Sequence, residues 1–172
     1  MTFLELAAER YSCRKFSDKP LDEADMAVLL KAAQIAPTAK NAQPFHIWTM
    51  TSPVAVEKVR SATPCHFNAP AYVLFGAKKA EAYEREEDGY NFAVGDAVIA
   101  ATHFILAAAD LGINTCWVGR FDPTKINELF PETQGYELVG LFDVGYAAED
   151  AAAGPSPRHT EAKPLEELVT SL

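Results

Sequence analysis

Residues 10 to 16 read Arg10-Tyr11-Ser12-Cys13-Arg14-Lys15-Phe16. Two arginines stand four residues apart with a hydroxyl midway between them. In an extended segment alternate side chains share a face, so Arg10, Ser12 and Arg14 point the same way. In a helical turn the two arginines are again neighbours, at i and i+4. Either geometry makes a fork of donors suited to a phosphate or a carboxylate, because guanidinium binds such oxygens bidentately. Pairing of the two arginines with nearby acids such as Glu5 or Glu9 is the competing reading. No glycine-rich cradle is present: neither G-x-G-x-x-G nor G-x-x-x-x-G-K-S/T follows any expected strand. A Rossmann or P-loop site is therefore not expected. An α+β architecture, with helices wrapped around a mostly antiparallel sheet, fits the order of elements better.

Those elements are read outward from the fork. Thr2-x-x-Glu5 is a capping box that opens a short first helix. Asp22 caps a second, with Met26, Leu29, Leu30 and Ala33 as its buried stripe, and Pro37 ends it. The loop Ala36-Pro37-Thr38-Ala39-Lys40-Asn41-Ala42-Gln43-Pro44 then runs into a strand from Phe45 to Met50. Small residues and side-chain amides between two prolines can bring donors close to a flat ligand, or can simply connect a helix to a strand. Ser52-Pro53 starts a third helix, and Ala71 to Ala77 is a buried strand. Lys78 to Tyr90 is a charged connection expected to be partly helical. Ala97 to Ala109 is the most apolar stretch, too short for a bilayer, and is placed at the centre of the fold. His103 within it is a core or interface residue rather than a catalyst. Asn114 to Gly119 is a strand running into a loop, Pro123 opens another helix, and Glu137 to Tyr146 is the last strand. Ala147 to Lys163 is a low-complexity arm without core-forming residues, and the apolar end around Leu165-Leu168-Val169 needs something to pack on. That tail reads either as an arm reaching a partner subunit or as disorder.

At 172 residues the chain is expected to be one domain, 1–172, with residues 147–172 as the arm. The net charge of −9 argues against nucleic acid or an anionic membrane as the main partner, and makes a local cationic fork conspicuous. Three scattered cysteines and four scattered histidines imply no disulfide framework and no metal site. The acidic, amphipathic start is no signal peptide, so a cytoplasmic protein with reduced thiols is expected.

Together these segments resemble the flavin-dependent nitroreductase family. Arg10-x-Ser12-x-Arg14-x-Phe16 is similar to its opening phosphate-binding motif, and Ala36-Pro37-Thr38-Ala39-x-Asn41-x-Gln43-Pro44-Phe45 to its second signature. Leu106-x-Ala108-Ala109-x-Leu111-Gly112 followed by Thr115-Cys116-Trp117-Val118-Gly119 resembles its central helix and the loop beside the flavin. Val144-Gly145-Tyr146 and Lys163-Pro164-Leu165 resemble its closing strand and tail. The resemblance implies FMN held non-covalently at the interface of a homodimer, with the C-terminal arm embracing the other subunit. It places Arg10, Tyr11, Ser12 and Arg14 at the phosphate and ribityl chain. Pro37, Thr38, Ala39, Asn41 and Gln43, from the partner chain, line the ring, and Cys116, Trp117, Val118 and Gly119 lie beside it. Where the family often has a basic residue before the Lys-Pro step this chain has Ala162, so the last phosphate contact falls to Arg158 or Lys163, with Arg158 preferred.

The activity implied is reduction of electron-poor acceptors (nitroaromatics, quinones or enones) at the expense of NADH or NADPH, by ping-pong hydride transfer. The chemistry resides in the cofactor, so no protein group is expected to act as acid, base or nucleophile. A non-catalytic flavin carrier or sensor, and another flavin reaction on the same fold such as dehalogenation or flavin cleavage, are the alternatives. A flavin-free hydrolase using Cys13 beside Arg14 is a further one, without an identifiable base.

Overall fold

The computed structural model describes the backbone of all 172 residues and every side chain except that of Ala151. Its centre is a four-stranded sheet of β1 (Phe45–Met50), β2 (Ala71–Ala77), β3 (Asn114–Val118) and β4 (Glu137–Gly145). The strands lie in the order β1-β2-β4-β3, and each neighbouring pair is antiparallel. The expected α+β architecture is the one observed. β2 and β4 are the apolar runs because they are the inner strands, covered on both faces.

Helices cover both faces. Against one lie α2 (Glu23–Gln34) and α4 (Ala93–Asp110), whose Leu29, Ala33, Ala100, Ala101, Phe104 and Ala108 pack on Val73, Phe75, Phe142 and Val144. The alanines of α4 allow this close approach. Against the other lie α3 (Pro53–Ala62) and α5 (Pro123–Leu129), where Val59 and Ile126 meet Tyr72, Leu74 and Leu141. α1 (Phe3–Glu9) stands at the chain's start and α6 (Leu165–Leu168) near its end. The helix starts follow the side chains that satisfy their free N–H groups. Thr2 and Glu5 form the reciprocal box on α1, while Asp22, Ser52 and Asp122 cap α2, α3 and α5.

Two edge-strand tryptophans fill space left by glycines on the inner strands. Trp117 of β3 lies over Gly140 of β4, and Trp48 of β1 lies over Gly76 of β2.

Of three expectations, two are corrected and the second is met in part. α4 begins at Ala93, four residues before the apolar stretch, because the Asn91 side chain accepts the Ala93 N–H at 3.1 Å and Asp96 turns inward, 2% exposed. The connection from Lys78 to Tyr90 holds only a 3-10 turn, Lys79–Glu81. A Glu84–Asn91 bridge then closes a turn in which Arg85 binds Asp88. The segment after β4 has one core residue, Ala153, and as far as Thr160 it folds back onto its own chain. Beyond it, residues 161–172 are exposed.

Candidate functional site

Of the two geometries open to the fork, the extended one forms. Ser12 bridges Thr115 in parallel along the outer edge of β3, and the Cys13 N–H donates to the Thr115 carbonyl at 3.0 Å. Alternation then turns Cys13 into the core, fully buried, while Arg14 is exposed and Arg10 and Ser12 are half-buried. Phe16 is buried beyond them and bridges Ala147, which ties the fork to the end of β4.

The returning segment covers the fork. Lys15 pairs with Asp150, the Ala148 N–H donates to the Lys15 carbonyl at 3.1 Å, and His159 Nε2 meets the Ala8 carbonyl at 2.8 Å. Between fork and strap is a cleft of about 240 Å³ with Arg10, Tyr11, Ser12 and Arg14 on one side and Ser156, Arg158 and His159 on the other. Tyr11 and His159 meet edge to face across it, their ring centroids 6.3 Å apart. Three guanidinium groups thus share one small cleft. Among the described residues none of them is in an ion pair, although the protein carries a net charge of −9. Glu5 is taken by the capping box, and Glu9 pairs with neither arginine. Lys163 does not line the cleft; Arg158 does.

Pro37, Thr38, Ala39, Asn41 and Gln43 lie elsewhere. Their loop leads into β1, the opposite edge strand. Three interstrand steps of about 4.8 Å, roughly 14 Å in all, separate that edge from β3. The loop is tightly curled, with Lys40, Asn41 and Gln43 at φ of 54°, 54° and 48°. Non-glycine residues seldom adopt this left-handed region, and asparagine tolerates it best. Thr38 Oγ1 accepts the Gln43 N–H at 3.1 Å, and Asp96 Oδ1 accepts the Ala39 N–H at 3.0 Å. Gln43 commits its side-chain N–H to the Gln34 carbonyl at 2.9 Å, so that group anchors the loop to α2.

At the end of β3, Cys116 and Val118 point into the core, leaving only their backbone to face a ligand. Trp117 is half-buried on the other face, 4.9 Å from Phe142, and Gly119 is exposed. Burial, and secondarily the carboxyl of Asp143, push the Cys116 thiol up to about 11, in keeping with a packing role. Cys13 is also raised by burial, and its Sγ meets the carbonyls of Lys15 and Ala153 rather than a base. A hydrolase built on Cys13 has no support here. His103 is half-buried on α4, its Nδ1 2.9 Å from the Ile99 carbonyl.

Two buried acids were not singled out from the sequence. Asp96 holds the curled loop. Asp143 sits in mid-β4, opposite Tyr72 on one side and Cys116 on the other, fully buried, with no hydrogen-bond partner for either oxygen among the described residues. Burial alone pushes it up to about 8. A lone acid within Leu141-Phe142-Asp143-Val144 was the available signal.

With this geometry in place, likeness to known proteins is informative. The profile described as the nitroreductase family matches residues 7–66 and 57–146. The chain belongs to the nitroreductase family. A nitroreductase family protein from Clostridium difficile 630 has 30% identity, coverage of 99% of this chain and 98% of that one, and a TM-score of 0.89. A relative from Archaeoglobus fulgidus, provisionally named an NADH dehydrogenase/NAD(P)H nitroreductase, is 26% identical over 155 residues, 86% of each chain. A nitroreductase from Bacteroides fragilis with bound FMN shares the fold at 21% identity and a TM-score of 0.73, covering 88% of this chain and 91% of that one. The nitroreductase-family match ends at residue 146, so the strap and Arg158 fall outside it.

Proposed function

We propose that this nitroreductase-family chain is an FMN-dependent NAD(P)H oxidoreductase, acting as a homodimer on small electron-poor acceptors. The observation that carries the reading is the cleft in which Arg10, Arg14 and Arg158 converge beside Ser12 and Ser156 without a counter-ion. A phosphate monoester fits such a donor set: about −1.5 to −2 charge at neutral pH, with oxygens that accept paired N–H bonds from guanidinium. Its size suits only the terminal phosphate, so a ring system held there must extend out along β3 towards Trp117 and Gly119. Tyr11 and His159 wall the cleft between the two arms. Ser12 and Ser156 add hydroxyl donors, and Arg158 takes the place of the basic residue missing at Ala162.

A bound flavin would supply the redox chemistry, ping-pong hydride transfer between NADH or NADPH and a nitroarene, quinone or enone. The chain's own contribution is to bind and orient. Backbone N–H groups at the end of β3 offer preorganised donors to the ring edge where negative charge accumulates on reduction.

The loop from Pro37 to Gln43 cannot reach the fork of its own chain across the sheet, so it serves the site of a second copy. The exposed apolar side chains Phe3 and Leu4 of α1, and Leu165, Leu168 and Val169 of the tail, support such an assembly, because an isolated chain leaves them in water. The tail beyond Thr160 is then the part that embraces the partner.

The test is the visible absorption spectrum of the purified protein, with its chromophore identified after denaturation. The expected result is a yellow protein releasing about one FMN per chain, which oxidises NADH or NADPH when a quinone is supplied. A colourless protein that does not take up added FMN overturns the reading. A yellow protein inert towards both nicotinamides would instead be a flavin carrier.

A further inference from the structure

Asp96 lies in the first turn of α4, far in sequence from any flavin-facing segment, yet it reaches the curled loop. Its Oδ1 accepts the Ala39 N–H at 3.0 Å across 57 residues of chain, and the side chain is 2% exposed. Its Oδ2 is buried and has no partner among the described residues. A buried carboxylate half-satisfied in this way is costly, and a position at the start of an 18-residue helix offsets part of that cost through the helix dipole.

The loop above it holds three of the five non-glycine residues with positive φ found among the described residues. Lys40, Asn41 and Gln43 all have positive φ, an arrangement that persists only where surroundings over-determine it. The internal bond from the Gln43 N–H to Thr38 closes the curl on itself, and the Gln43 amide ties its end to α2. Neither fixes the beginning of the curl against α4. The Ala39–Asp96 bond does that, and the Lys40 ammonium, 4.1 Å from the centre of the Tyr83 ring, adds a second point on the same side.

We infer that Asp96 is the positioning residue for the loop from Pro37 to Gln43, holding its strained shape so that it presents a preformed wall to the flavin of the partner subunit. The inference rests on the flavin reading above for the loop's use, but not for the anchoring itself. Asp96 touches neither cofactor nor substrate in this scheme and acts only through Ala39.

The test compares wild type with Asp96→Asn and Asp96→Ala in the full-length protein, by hydrogen exchange at the Ala39 amide, FMN affinity, and circular dichroism of the bound flavin. In apoprotein the Ala39 amide is expected to exchange slowly. Asn, which keeps the acceptor oxygen, should leave exchange within a few-fold of wild type, and Ala should raise it by about tenfold or more, the scale of a lost bond to a charged group. FMN binding should weaken by about tenfold in Asp96→Ala, with an altered flavin band, and be largely restored in Asp96→Asn. Unchanged exchange and affinity in Asp96→Ala would overturn the inference, as would equal loss in both variants, since the acceptor oxygen would then not be what matters. If Asp96→Ala does not fold, Asp96→Asn decides: exchange slow and flavin band intact supports the anchor, and free exchange overturns it. Failure of wild type itself to bind FMN would sink the functional reading, and the exchange data would still report on the anchor.

Discussion

At the β3 edge, residues 10–16 are laid alongside β3 and covered by a strap from the same chain, so the cleft with its three arginines is complete within one chain. At the β1 edge, residues 37–43 curl through left-handed backbone, are tied to α2 and α4 of their own chain, and present a largely exposed outer surface. One edge collects unpaired positive charge in the open. The other is braced from beneath by a buried negative one, Asp96. Binding energy for an anion is therefore concentrated at the first edge. In the proposed dimer the second would supply shape to a ligand brought by another chain.

This comparison predicts very unequal responses to substitution. The largest is expected for the double change Arg10→Ala with Arg14→Ala. Each charge-assisted bond to a phosphate contributes about 1.5–3 kcal/mol, so FMN affinity should fall by at least a hundredfold, leaving protein purified almost colourless. Arg14 is exposed and neither arginine makes an ion pair, so the melting temperature should hardly move. Retention of flavin at the wild-type level in a titration would remove the phosphate role from the fork and the distinction between the edges with it.

The two edges were unequally legible in the sequence for the same physical reason. The fork is local: alternation along an extended segment places Arg10, Ser12 and Arg14 together whatever the rest of the chain does. The strands and most helix starts are local as well, written in apolar runs and in caps such as Thr2, Asp22 and Ser52. Arg158 was reachable only as a choice between two basic residues, since the strap that carries it is fixed by a scatter of bonds to Lys15, Cys13 and Ala8. Asp96 and Asp143 were passed over because a buried acid has no local signature. The apolar stretch was read from Ala97, which left Asp96 outside it although α4 begins at Ala93. The side chain of Gln43, an amide in a suggestive motif, turns one N–H back to α2, which the sequence does not disclose.

Between the edges stands Asp143, in a cross-strand row with Tyr72 on the loop side and Cys116 on the fork side. Burial raises its folded-state pKa to about 8, against an ordinary value near 4 in the unfolded chain. Below about pH 4 both states hold the proton and no penalty applies. As pH rises towards 8 the unfolded chain ionises and the folded one does not, so stability falls through this window and then levels off. Asp143→Asn cannot ionise, so its melting temperature relative to wild type should climb between pH 4 and pH 8, by an amount worth a few kcal/mol at the plateau. Melting curves in parallel across that range check it. A difference independent of pH would show that Asp143 is already charged at pH 7 and that its two oxygens have found partners.

The smallest of the three effects, and the one that separates the edges most finely, concerns the glycines beneath the two tryptophans. A Cβ on Gly140 would overlap the indole nitrogen of Trp117 and the two ring carbons bonded to it, so the ring must leave its seat. On Gly76 it would come within 2.8 Å of the far end of the Trp48 ring and 3.0 Å of the Tyr136 Cβ, a clash that a tilt of the indole partly relieves. Both alanine variants should lose about 1–3 kcal/mol of stability, the usual cost of overpacking. Their optical consequences should differ. Trp117 is at the fork edge, beside the proposed ring site, so Gly140→Ala should shift tryptophan emission and also the visible band of bound flavin. Trp48 packs on the α3 and α5 side of β1, away from the loop tied to α2, so Gly76→Ala should shift emission alone. A flavin band that moves in both variants, or in neither, would mean that the two edges are not assigned to different sites, and that the geometry of the pair rather than of the single chain must be reconsidered.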